Sequence, residues 1–188
     1  MARLEPIAPG ALTDEQRKLH ETMLEGIRKN LKGFVTERED GALVGPFPAM
    51  LHFPKLGTAA WSVFTALSEV STLPKPAHEI AILVTGARMH SRYELYSHEV
   101  VAQQAGLEQA KIATITAGNR PADLSRDEGI AYDVASVLSA GGQLQESTYQ
   151  QALSAFGERG CAELFYLIGC YQMISTLLNA YDVSVPGR

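Results

Sequence analysis

Glu94 and His98 stand four residues apart in the stretch Ser91-Arg92-Tyr93-Glu94-Leu95-Tyr96-Ser97-His98. A carboxylate and an imidazole at that spacing are neighbours on one side of a helix. The apolar residues Leu95, Val101, Ala102 and Ala105 recur on or next to that side, so the pair is expected to face inward rather than towards water. Glu79 supplies a second acid one helix earlier. Each group also has a plainer reading. Ser91-x-x-Glu94 matches a capping box, His98 also suits a core position bonded to a backbone carbonyl, and an acid at Glu79 also complements the dipole of a first helical turn. Their convergence near one helix junction favours the other reading, because two acids and a histidine are the raw material of general acid–base chemistry.

Other polar and aromatic residues divide between site and scaffold. His52, beside Phe53 and Pro54, is either a pocket residue or a surface histidine. Arg88 and His90 either bind an anionic group near the site or form the cationic last turn of the preceding helix. Tyr93 and Phe47 are placed with Ser91, Arg88 and His52 as candidate substrate contacts, although aromatics of this kind commonly serve cores and interfaces. His20 and His78 belong to no constellation. The sequence contains no phosphate-binding glycine loop, nucleophile elbow or metal-ligand cluster, so nucleotide-dependent and zinc-dependent chemistry are without support and no cofactor is expected.

The elements that must position these groups read as helices throughout. Thr13 with Gln16 forms a capping-box pattern that opens an amphipathic helix to about Leu31, with Leu19, Met23, Leu24, Ile27 and Leu31 on one face. Residues 33–54, rich in Gly and Pro around Phe47, Met50, Leu51 and Phe53, are expected to be an extended connection that lines a pocket. Helices are expected over 55–70, 77–89 and about 91–105, the last closed by Gly106, with a short one over 107–117. Ser125 with Glu128 opens another, stopped by Gly141-Gly142. Helices over 148–156 and 162–181 follow, the second almost wholly apolar. Strand-like alternation is absent, so the fold class is all-α, one domain over residues 1–188 with 1–54 as helix plus pocket-lining connection and 55–188 as helical core. A last helix with little polar face implies burial on nearly every side, hence an oligomer.

Composition narrows the partners. The chain of 188 residues is 46% hydrophobic and 20% charged, with a formal charge of −5. That suits one core-forming domain and provides no basic stripe for nucleic acid. No apolar run is read as long enough to span a bilayer, and Met1-Ala2-Arg3-Leu4-Glu5-Pro6 lacks the apolar core of a signal peptide, so a soluble, cytoplasmic protein is expected. Cys161 and Cys170 lie nine residues apart in a helical pattern, on opposite sides of the helix, which excludes a disulfide between them.

The order of residues resembles the carboxymuconolactone decarboxylase and alkylhydroperoxidase D-like superfamily. The similarity runs through Gly45-Pro46-Phe47, Met50-Leu51-His52-Phe53-Pro54-Lys55-Leu56, His78-Glu79-Ile80-Ala81-Ile82-Leu83, Tyr93-Glu94 with Ser97-His98, Ala105-Gly106-Leu107 and Leu177-Leu178-Asn179-Ala180-Tyr181. The peroxidase branch carries a Cys-x-x-Cys pair and a histidine with an upstream glutamate. Here those positions correspond to Ser91, Glu94, His98 and Glu79. Neither Ser nor Glu provides the thiolate or the resolving thiol that peroxide reduction needs. The resemblance therefore implies a cofactor-independent lyase of the decarboxylase type acting on a small carboxylated lactone or related activated acid, of the kind found in aromatic-compound catabolism. His98 would be proton donor or electrophilic partner, Glu94 would orient it, and Glu79 would complete the relay. It also implies a homotrimer or a hexamer built as a dimer of trimers. The alternatives are an alkylhydroperoxidase-like antioxidant using Cys161 or Cys170, and a non-catalytic member of the superfamily.

Overall fold

Thr13 accepts from the Gln16 N–H at 3.4 Å while the Gln16 side chain accepts from the Thr13 N–H at 2.9 Å, and this reciprocal cap starts helix α1, Asp14–Asn30. In the computed structural model, which describes residues 3–187, seven further helices follow. They are α2 Phe47–His52, α3 Pro54–Val70, α4 Lys75–Arg88, α5 Arg92–Gln104, α6 Gln109–Thr116, α7 Arg126–Ser139 and α8 Glu146–Ala180. Met1 and Ala2, part of the segment read for a signal peptide, and Arg188 lie outside the described residues. Among the described residues the only extended pairing is an isolated bridge between Glu37 and Leu43, and the fold is all-α.

Two local expectations change. The connection over 33–54 is not extended throughout, because Phe47–His52 forms a short helix. Pro46 and Pro48 permit it, since a first turn needs neither N–H and the fixed φ of proline suits helix entry. The two C-terminal helices expected over 148–156 and 162–181 are present as the two arms of α8, parted by a kink where Gly157 adopts φ 67° and ψ 177°. That backbone suits glycine alone at low cost. The α8 helix has the length and, over its most apolar window, the mean hydropathy, 1.3, to cross a membrane. The expectation that no stretch could do so fails for this helix. Half of its most apolar window is buried inside the fold, as in a core helix. Ser125 and Glu128 do cap each other as expected.

Helix α4 is the axis of the domain. Ala77 and the run Glu79–Gly86 are all buried, and Ile80, Leu83, Ile112, Val134, Leu164 and Leu167 join α4, α6, α7 and α8 in the larger core cluster. A second cluster of Met23, Ile27, Leu51, Tyr93, Ile174 and Leu178 ties α1 and α2 to α5 and the end of α8. The turn from α3 to α4 is fastened from across the core. Glu163 of α8 is 3% exposed and its Oε2 accepts from the Thr72 hydroxyl at 2.8 Å and the Leu73 N–H at 3.2 Å, with the Thr72 N–H as a third donor at 2.5 Å. Burial alone would raise this carboxyl. The His78 imidazole, 3.7 Å from Oε1, and the Thr72 and Leu73 donors instead hold it down at about 2.

Two stability measurements follow from this packing. A Cβ at Gly57 would lie 2.3 Å from the Met50 carbonyl oxygen and 2.8 Å from its carbonyl carbon, where α3 crosses α2, and backbone cannot rotate aside as a side chain can. Gly57→Ala should lower unfolding free energy by about 2 kcal/mol or more, read from denaturant midpoints. Glu163 is depressed in the folded state, so its contribution is full above about pH 4.5 and is lost as pH falls towards about 2. The stability gap between wild type and Glu163→Gln should therefore close across that acid window, and a gap that stays constant would show that the charge contributes nothing.

Candidate active site

The turn between α4 and α5 sets the site. His90 takes the left-handed conformation, φ 52°, at the position past the end of α4, and the Ser91 N–H bonds the Gly86 carbonyl at 2.9 Å. The Asn179 amide of α8 donates to the Met89 carbonyl at 2.7 Å. Helix α5 then runs back beside α4 closely enough that a Cβ at Gly86 would meet Leu95 Cδ2 at 3.2 Å and Glu94 Cγ at 3.4 Å. Glycine at 86 leaves room for the Glu94 side chain.

Within this hairpin, Glu79 of α4 and Glu94 and His98 of α5 converge. His98 Nδ1 lies 2.8 Å from Glu79 Oε2 in a hydrogen bond, and Nε2 lies 3.2 Å from Glu94 Oε1. The three residues are 4–7% exposed. The capping-box reading of Ser91 and Glu94 does not hold: the Ser91 side chain makes no cap bond, its Oγ is buried without a hydrogen-bond partner, and the Glu94 carboxylate turns to the imidazole, where opposite charge offsets the cost of burial. Burial pushes the Glu94 carboxyl up, His98 pulls it down and Glu79 pushes it up again, leaving it at about 7. Burial disfavours the charged imidazole of His98, yet Glu79, through charge and hydrogen bond, and Glu94 together raise it. The resulting unit is acid–imidazole–acid, with both ring nitrogens engaged.

The triad borders a cavity of about 780 Å³. Phe47 and Met50 of α2, Trp61 and Phe64 of α3, and Tyr93 and Tyr171 form much of its wall. Tyr171 of α8 sets its ring edge-to-face with His98, centroids 5.0 Å apart. Burial, with Glu94 and Glu79 behind it, holds its hydroxyl well above the ordinary tyrosine range, so it remains a neutral donor. Tyr93 is likewise raised, by burial and then by Tyr96 and Glu94, and its hydroxyl donates to the Val35 carbonyl at 3.0 Å.

Of the residues singled out from sequence, Glu79, Glu94, His98, Tyr93 and Phe47 line this cavity. The other three stand apart. Arg88 is exposed on the last turn of α4. Ser91 is fully buried behind the hairpin turn. His52 donates through Nε2 to the Glu5 carbonyl at 2.9 Å. Sequence reasoning missed Tyr171, whose signal is only a tyrosine among the apolar residues of α8, and it set aside His78, which also lines the cavity. Among the described residues no group of three or more His, Cys, Asp or Glu side chains is placed to hold a metal ion.

No protein-family profile matches the sequence, and no curated protein is significantly similar to it. Solved structures are similar over nearly the whole chain. A peroxidase-related protein from Ralstonia eutropha JMP134, described as an alkylhydroperoxidase AhpD core, superposes with a TM-score of 0.77 at 16% identity, covering 99% of this chain and 93% of that one. The debrominase Bmp8, in complex with 2,3,4-tribromopyrrole, gives a TM-score of 0.75 at 14% identity over 98% of this chain and 91% of its own. A peroxidase-related protein from Silicibacter sp. TM1040 gives 0.73 at 18% identity over 99% and 92%. The helical hairpin that brings Glu79, Glu94 and His98 together is therefore carried on the AhpD-like all-α fold.

Proposed function

We propose that this chain is a cofactor-independent lyase of the carboxymuconolactone decarboxylase type, acting on a small carboxylated lactone or related activated acid by proton transfer. The observation that carries the reading is the buried acid–imidazole–acid unit on the wall of an aromatic cavity, with Glu94 at the position where the peroxidase branch has a thiol. Loss of carbon dioxide from such a substrate breaks a C–C bond and leaves its electron pair in a conjugated enolate, which must be held and then protonated on carbon. The geometry favours Glu94, rather than His98, as the group that delivers the proton, because each imidazole nitrogen already faces a carboxylate. A carboxyl at about 7 is half protonated near neutrality, where general acid catalysis is most efficient. Glu94 gives its proton to the substrate carbon, the His98 imidazolium stabilises the carboxylate left behind, and a proton from solvent restores the pair. Glu79 keeps the ring charged and oriented. In this reading Tyr171, on the cavity wall beside His98, donates to the enolate oxygen.

The trimer or hexamer implied by the resemblance belongs to the same proposal. Leu56 and Val63 on α3, and Tyr166 and Met173 on α8, are exposed apolar residues of the kind that a subunit contact covers.

Glu94→Gln should lower the rate by about two to four orders of magnitude with the fold intact, and wild-type activity should fall as pH rises through about 7. His98→Gln should also impair turnover. Full activity in a folded Glu94→Gln protein, assayed on a lactone acid, would overturn the mechanism. The antioxidant reading is tested through the thiols: burial pushes Cys170 up to about 12, with Glu94 adding to it, and burial raises Cys161. Neither should react with a disulfide reagent in the folded protein, and hydroperoxide consumption with a dithiol reductant should be negligible. Turnover that vanishes in a Cys161→Ala, Cys170→Ala variant would reverse the ranking.

A further inference from the structure

Placing a substrate acid beside the triad raises a problem of charge, because Glu79 repels the group that the proposed reaction must accept, as does Glu94 whenever it is ionised. The arginine expected to anchor it, Arg88, lies outside the cavity. Three other basic side chains, Lys29, Lys75 and His78, line it. Lys75 and His78 stand on the first turn of α4, three residues apart and hence on neighbouring positions of one face. Lys75 precedes Glu79 by four residues, about 6 Å along the helix axis at 1.5 Å per residue, and His78 is the residue next to Glu79.

His78 is held in an incomplete arrangement. Its Nδ1 and the Oε1 of Glu163 are both buried without a hydrogen-bond partner and face each other at 3.7 Å, while Glu163 is fixed from its other oxygen by Thr72 and Leu73. An imidazole turned by a buried carboxylate on one nitrogen presents the other to a second anion, the same design as His98 between Glu79 and Glu94. None of the ion pairs among the described residues uses Lys75. The N-terminus of α4 has no side-chain cap, and its positive end adds to the same field. Glu25, Glu69 and Lys29 also border the opening, so the rim as a whole is mixed in sign. The turn that carries Lys75 and His78 is the part of it with two basic side chains on the helix that also carries Glu79.

We propose that Lys75 and His78, with His78 positioned by Glu163, form the subsite for the substrate's carboxylate, which leaves the scaffold of a small flat acid lying along the aromatic wall towards Glu94. The identification of the anion as a substrate carboxylate rests on the lyase reading; the anion subsite itself does not. A carboxylate entering there is shared between the Lys75 ammonium and the His78 ring, whose Nδ1 faces Glu163.

The test uses benzoate as the anionic probe and benzamide as its neutral counterpart, titrated by calorimetry into the full-length wild type, Lys75→Gln, His78→Gln and Glu94→Gln. Wild type should bind benzoate more tightly than benzamide. Lys75→Gln and His78→Gln should each weaken benzoate by about tenfold, the worth of one charge-assisted bond, and leave benzamide unchanged. Glu94→Gln should keep benzoate affinity. Lys75 is exposed, so its variant should fold even if loss of the partner of Glu163 harms His78→Gln. Equal affinity for the two probes in wild type, or benzoate binding indifferent to Lys75, would overturn the subsite. The two proposals separate cleanly. Benzoate binding that depends on Lys75 in a protein without lactone-acid turnover sinks the lyase reading alone, and Glu94-dependent turnover with benzoate binding indifferent to Lys75 sinks the subsite alone.

Discussion

Two carboxylates and an imidazole buried between α4 and α5 are the constraint around which the domain is arranged. Each of these groups would be costly to bury alone, and only their mutual contact makes burial tolerable. That contact exists because the hairpin is tight: glycine at 86 makes room for Glu94, His90 accepts a left-handed backbone to reverse the chain, and Asn179 holds the turn from α8. A strained non-glycine turn is tolerated when the surrounding packing over-determines it. The larger core provides that packing by enclosing α4 with α6, α7 and α8.

The same burial that makes the unit expensive makes it reactive. A carboxyl in water titrates far below neutrality, whereas Glu94, shielded from water and faced by Glu79 as well as His98, is poised at about 7. The aromatic wall keeps the local dielectric low, which strengthens every charge interaction at the triad. The thiols of this chain suffer the opposite fate. Cys170 lies where burial and the Glu94 charge both oppose the thiolate, so the environment that activates a carboxyl silences a cysteine. One field, acting on different residue types, raises a carboxyl towards neutrality and keeps a thiol protonated, on a fold shared with peroxidase-related proteins.

A second carboxylate–imidazole pair, Glu163 with His78, repeats this logic between α8 and the first turn of α4. It has a structural task, since Glu163 also satisfies the otherwise orphaned donors of the α3–α4 turn. The position of α4, and so of Glu79, depends on a side chain that reaches across the core from α8. Stability of that turn and geometry of the site are thus carried by one residue.

The helical character, the helix starts at Thr13 and Ser125, the stop at Gly106 and the pairing of Glu94 with His98 are all legible in the sequence, because each rests on interactions between residues a few positions apart. Periodicity, capping and a four-residue spacing are local, and local physics needs no fold to be read. What the sequence could not decide is which of two local options wins when a distant group competes. Glu94 fits a capping box with Ser91 equally well until Glu79 and His98 offer it a buried partner. Tyr171 and His78 carry no local signal, and join the cavity only because α8 and the first turn of α4 border the space beside α5. Arg88 and His52, plausible anchors by neighbourhood, are turned away by the direction of a helix end and by a carbonyl at Glu5. The sequence by itself determined an all-α chain with an acid–imidazole pair on a buried helix face; tertiary packing alone decided which residues surround that pair, because contacts between residues far apart in the chain are made only when the helices that carry them are packed.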